Sequence, residues 1–212
     1  MNTEDKNKEQ AILEAAEHTF LEHGFEASKT TQIAARAGVT HAMLHYYYRT
    51  KENLFNMVFD KKLQLLKESL FALAGNQEMP FLERIRIGVG AHFDFISKHP
   101  HLPRFVINEL LFKPERLKMV EAIVRKSAGT LIGEIQHAID GDVERGAIRP
   151  VEATTLLLDI ASLNVFLFVA LPLLHIFAIP QGMSEQEFLE MRKRENVEVI
   201  MCRLKKQPHS EP

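Results

Sequence analysis

The chain has 212 residues, 46% of them hydrophobic and 25% charged, with a formal net charge of −2 and a single cysteine, Cys202. That length can bury a real core, that composition excludes a largely disordered chain, and one cysteine excludes an intrachain disulfide and suits a reducing cytosol. No apolar signal core follows the polar opening MNTEDKNKEQ, so a cytoplasmic location is expected.

Helical periodicity runs through nearly the whole chain. Residues 8–23 set Ile12, Leu13, Ala16 and Phe20 on one face, and Gly24 stands where a helix end needs positive φ. A short helix is predicted over 30–37, a tight turn at Gly38–Val39, and a third helix from the N-cap Thr40 to Tyr47. Thr50 caps a longer fourth helix ending near Gly75. Pro80, Pro100, Pro103 and Pro114 punctuate three more, over 80–98, 102–112 and 114–140, and GDVERGAIRP (141–150) reads as a loop. A helix follows from 151 to 178, with a bend expected at Pro172. Ser184 with Glu187 then forms a capping box for a last helix over 184–206. The fold class is all-α, with about nine helices.

One segment, residues 160–179, reaches membrane-spanning length. It contains Asn164, Pro172 and His175 and follows Asp159, so a core or subunit-interface helix is expected and no membrane.

Charge is distributed unevenly. Residues 27–51 carry Lys29, Arg36, Arg49 and Lys51 and no acid, a local +4, whereas residues 4–26 hold seven acids against Lys6 and Lys8. A basic stripe on an otherwise acidic chain is an electrostatic footprint confined to one surface. It coincides with two short helices joined by a glycine turn, the helix-turn-helix layout. On the third helix Leu44 and Tyr48 point inward. His41, Ala42, His45 and Tyr46 then point outward, with Met43 and Tyr47 at the flanks. The spacing of HAMLH (41–45) also suits two zinc ligands, but a hydrolytic site needs Glu where Ala42 stands, and no third ligand is near. The pair reads as a DNA-facing surface, with no metal and no cofactor. A bundle enzyme using His92, Asp94, Glu109 and His137 is the rival, but no ExxH or HxxE pair repeats at bundle spacing, so no enzyme is expected.

The run from Ala11 to Phe55 closely resembles the N-terminal domain of TetR/AcrR-type transcriptional regulators. The likeness rests on Phe20–Gly24–Phe25, the IAxxAGV of Ile33–Val39, Leu44, the aromatic cluster and Lys51. It implies a DNA-binding domain over 1–50 and an effector-binding and dimerisation domain over 51–212. Base-proximal positions fall on Thr31, His41, Ala42 and Met43, and phosphate-gripping ones on Thr30, His45, Tyr47 and Lys51, with Tyr46 adjacent. Two positions depart from the pattern: His41 stands where Lys or Arg is common, and His45 where Tyr is. The resemblance further implies a homodimer through helices 151–178 and 184–206, double-stranded DNA with a palindromic operator as partner, and an inducer pocket among the central helices. Candidate lining residues are His92, Phe95, Phe105, Asn108, Phe112, His137, Asn164, Phe168 and His175, whose aromatic share favours a lipophilic or aromatic effector. The expected function is a ligand-released repressor; an accessory DNA- or regulator-binding protein without ligand response is the alternative.

Overall fold

The computed structural model describes residues 3–71, 79–111 and 113–205, and every regular element within them is helical. In chain order these are α1 (Thr3–Ala27), α2 (Thr30–Arg36), α3 (His41–Tyr48), α4 (Lys51–Phe71), α5 (Phe81–Lys98), α6 (Leu102–Leu111), α7 (Pro114–Glu144), α8 (Ala153–Phe177) and α9 (Glu185–Leu204). The all-α fold expected from periodicity is the fold observed.

Two helix limits differ from expectation. α1 starts at Thr3 rather than near residue 8 and resumes beyond Gly24, whose φ of 72° and ψ of 178° break the helical run. α7 continues four residues into the segment read as a loop, to Glu144, because Gly141 is tolerated inside a helix at about 1 kcal/mol. The terminator is Gly146 at φ 71°. Its N–H donates to the Val143 carbonyl at 2.9 Å, and the Ala147 N–H donates to Asp142 at 2.8 Å, a Schellman ending.

The chain divides into two compact units. The first comprises Met1–Leu66 and Arg104–Leu117, so α6 packs with α1–α3 and most of α4. Its core is aromatic: Phe55 lies edge-on to Phe20 and Phe25 at 5.1 Å each, and Phe105 of α6 lies 5.7 Å from Phe55.

The second unit comprises Lys67–Pro103 and Lys118–Pro212, in which α5 packs on α8 and α9. Ile85, Val89, Ile135, Ile139, Ile160, Ile200 and Leu204 form one buried cluster, and Phe93, Ile96, Leu167, Phe168 and Phe188 another. The predicted capping box starts α9, with the Ser184 N–H donating to Glu187 at 2.9 Å and the Glu187 N–H to Ser184 Oγ at 3.2 Å. α8 is 25 residues long and contains an 18-residue window of mean hydropathy 2.2, long and apolar enough to cross a membrane by length and composition alone. Within the unit it leaves Leu158, Phe166, Leu173, Ile176 and Phe177 exposed.

Candidate nucleic-acid interface

A Schellman turn sets the angle between α2 and α3. Gly38, at φ 67°, donates to the Ala35 carbonyl at 3.2 Å, and Val39 donates to Ala34 at 3.0 Å. Thr40 then caps α3, its hydroxyl accepting from the Met43 N–H at 3.2 Å. Leu44 and Tyr48, four apart, are buried, and the Tyr48 hydroxyl donates to the Glu9 carbonyl of α1 at 3.0 Å. Burial, then the Glu9 charge, pushes the Tyr48 phenol up to about 12, so it stays a neutral donor. These inward anchors turn the opposite face of the helix to solvent.

On that face His41, Ala42, His45 and Tyr46 are exposed, while Met43 and Tyr47 are half-buried. Tyr46 is 80% exposed, an uncovered aromatic ring with a polar tip. His41 Nε2 lies 2.9 Å from Thr30 Oγ1, joining the first turns of α2 and α3. The His41 and His45 rings meet edge to face at 4.5 Å, and His45 Nδ1 lies 2.9 Å from the Arg49 carbonyl. Thr31 is exposed one residue after half-buried Thr30. Lys51 opens α4, where its Nζ donates to the Glu26 carbonyl at 3.3 Å and sits 4.4 Å from the centre of the Phe25 ring. Thr30, His41 and His45 are thus brought together, Tyr46 and Tyr47 follow His45 on α3, and Lys51 opens α4. Among the described residues no group of three His, Cys, Asp or Glu side chains is placed to hold a metal.

Two contacts of this surface were absent from the sequence reading. The Tyr47 hydroxyl donates to Asp5 Oδ1 at 3.1 Å, and partial burial followed by the Asp5 carboxylate raises the phenol above its usual range. Asp5 belongs to the stretch of α1 that periodicity left out, so no sequence signal pointed to it. The second contact braces the surface from α6. Glu109, 2% exposed, accepts from the Phe25 N–H at 3.3 Å and pairs with Lys113 at 3.0 Å and Arg116 at 3.1 Å. Arg116 also caps the Phe55 ring at 3.9 Å.

The expected effector-lining residues separate. In the second unit the Asn164 amide donates to His92 Nδ1 at 3.1 Å and to the Val89 carbonyl at 3.0 Å, both partners on α5. Phe168 lies edge-on to Phe93 at 5.3 Å, and Phe95 packs against the same cluster. Burial holds the His92 imidazole down to about 4, hence neutral. Asn196 of α9 completes the group by donating to Asn164 Oδ1 at 3.0 Å. It was missed, although it stands four residues before Ile200 on the apolar stripe of α9, where a polar residue signals a buried partner. His137 is exposed on a cleft of about 580 Å³, and exposed His175 pairs with Glu185 at 2.8 Å. Phe105 and Asn108 belong to the first unit, Phe105 in its aromatic core and Asn108 exposed. Phe112 lies outside the described residues.

Residues 12–58 match the family model described as bacterial regulatory proteins, tetR family, and residues 82–200 match that of a tetracyclin repressor-like C-terminal domain. Among curated proteins, the chain is 25% identical over 145 residues to the uncharacterized HTH-type transcriptional regulator YhgD of Bacillus subtilis, covering 68% of this chain and 73% of that one. It is 29% identical over 148 residues to the HTH-type transcriptional regulator RutR of Escherichia coli, covering 68% of this chain and 66% of that one. A solved tetR-family regulatory protein from Rhodococcus has the same fold, with a TM-score of 0.68 at 19% identity over 98% of this chain and all of that one.

Proposed function

Because the chain belongs to the tetR family of bacterial regulatory proteins and is a DNA-binding transcription regulator, we propose that it is a cytoplasmic homodimeric repressor, released from a palindromic operator by a small-molecule effector. The observation that carries this reading is the outward face of α3. Four exposed residues there have room to meet a major groove, inside a stretch from 27 to 51 that holds four cations and no acid. His41, Ala42 and Met43 at the start of α3, with Thr31, face base edges. Thr30, His45, Tyr46, Tyr47 and Lys51 take the flanking phosphates. Lys51 suits that task, since a cation at a helix N-terminus is opposed by the dipole until a phosphate arrives.

Residues 1–50 read DNA in this scheme, and residues 51–212 dimerise and bind the effector. The uncovered apolar side chains of α8, with Val199 on α9, support a second copy as their cover, the pairing that sets two heads about 34–36 Å apart. The effector site is drawn around His92, Asn164, Phe95 and Phe168, where a neutral polar pair among phenylalanines favours a lipophilic or aromatic molecule. Release then needs only an effector that prefers the head spacing unsuited to DNA. No catalytic step enters.

Selection from a random double-stranded library, with light scattering on the same protein, tests the scheme. The expected result is an enriched palindrome bound by a particle of twice the 24.3 kDa chain mass. With about 3–4 phosphate contacts per head, log K should fall with log salt at a slope of about −5 to −7. A monomer, or no enrichment at low salt, overturns it.

A further inference from the structure

The junction between α3 and α4 contains the only positive-φ residue other than glycine among the described residues: Arg49, at φ 60° and ψ −53°. The Thr50 N–H donates to the Tyr48 carbonyl at 2.6 Å, which closes a γ-turn of the rarer, strained hand around Arg49. Such a conformation persists only where its surroundings over-determine it. They do so here: Tyr48 is buried and tied to the Glu9 carbonyl, the Arg49 N–H closes α3 onto the His45 carbonyl at 3.0 Å, and Thr50 caps α4 by accepting from Asn53 at 3.1 Å. Glycine would adopt this φ with little strain. The chain carries an arginine instead.

The guanidinium is what that arginine adds. It has no ion pair or hydrogen bond among the described residues, whereas Arg36 of the same basic stretch pairs with Glu22 at 3.3 Å and Lys51 donates to the Glu26 backbone carbonyl while keeping its charge. Arg49 also continues the exposed line of α3, four residues after His45 and eight after His41, and His45 Nδ1 reaches its carbonyl. We propose that Arg49 is a further phosphate-binding residue of this surface, presented by the strained γ-turn at the exit of the recognition helix, so that backbone strain is retained for the sake of the charge. The proposal rests on the reading of this face as a DNA interface.

The test compares wild type with Arg49→Gly, Arg49→Ala and Arg49→Lys, using a 30-base-pair duplex of random sequence as probe and thermal unfolding as a second readout. Arg49→Gly should raise the unfolding midpoint by roughly 2–4 °C as strain is relieved. The same variant should bind roughly tenfold more weakly at low salt, with the salt slope smaller by about 1 per head, or about 2 per dimer. Arg49→Ala should lose the same slope with no gain in midpoint, and Arg49→Lys should keep the slope. A wild-type slope left unchanged in both neutral variants overturns the assignment, as does a loss of slope in Arg49→Lys equal to that in Arg49→Ala. Failure of the wild type to bind the duplex at all overturns the DNA-interface reading itself.

Discussion

Glu109 in the first unit and His92 in the second each anchor a buried polar cluster, and the two are built from opposite chemistry. In the first, Glu109 is sealed beneath the Gly24–Phe25 bend and answered by two cations, Lys113 and Arg116, whose charged ends also lie over aromatic rings. In the second, His92, Asn164 and Asn196 carry no charge and are joined through amide hydrogens, with Arg192 donating to Asn196 Oδ1 at the outer end at 3.1 Å. A charged cluster is vulnerable to losing a member, because the remaining ions are stranded out of water. A neutral one is vulnerable to gaining a proton, because a new charge appears where nothing answers it. The first unit should therefore be broken most easily by mutation and the second by acid.

The larger effect is expected from Glu109→Ala. It leaves Lys113 and Arg116 unanswered and removes the acceptor of the Phe25 N–H. Breaking a buried pair costs about 3–5 kcal/mol, and the low end applies, because Lys113 and Arg116 are 20% and 14% exposed and can be partly rehydrated. Urea unfolding reads this directly, and a loss below about 1 kcal/mol would mean that water already screens the pair. Glu109→Gln keeps an acceptor for Phe25 and should fall between the two proteins.

The acid arm turns on His92. Asn164 donates to Nδ1, so the bare ring nitrogen is the one that a proton would take, and protonation would set N–H against N–H. The amide orientation is fixed by Asn196, which donates to the other end of Asn164. The folded group titrates at about 4 against 6.5 for a free one, so the unfolded chain takes the proton first. Stability from this source is complete above the free value and falls as the pH drops towards the folded one. Between pH 7 and pH 5 the loss comes to about 2 kcal/mol. His92→Gln should remove that component. A gap between wild type and variant that is equal at pH 7 and pH 5 would show that His92 stays neutral in neither state or in both.

The first unit was far more legible in sequence than the second, for a physical reason. Caps, glycine turns and i, i+4 burial are local devices, and Thr40, Gly38, Leu44 and Tyr48 sit within a dozen residues of one another. The same local logic recovered the Ser184–Glu187 box and the fold class. Arg49 was legible only as a charge, since nothing in its neighbours announces a γ-turn. Residues whose partners are remote could not be read. Glu109 meets Phe25 across 84 positions and Asn164 meets His92 across 72, and neither pairing leaves a periodic trace. The expected effector-lining residues scatter for the same reason: side-chain chemistry alone does not say that His137 and His175 face solvent.

The smallest effect sharpens the contrast within the first unit itself, where one acid braces the fold and another burdens the surface. Glu109 is buried and paired, but Asp5 touches the hydroxyl of Tyr47, a residue proposed above to meet the phosphate backbone, and would bring a negative charge close to where phosphates would lie. Asp5→Asn keeps an oxygen to accept from Tyr47 and removes only the charge. Binding to DNA should tighten by about twofold to fivefold at low salt, alike for every sequence, and the gain should shrink as salt screens the interaction. Fluorescence anisotropy at two salt concentrations measures both. Weaker binding by Asp5→Asn would reverse the assignment: the carboxylate would then be the group that aims the Tyr47 hydroxyl, and its charge a cost that the interface tolerates in return for orientation.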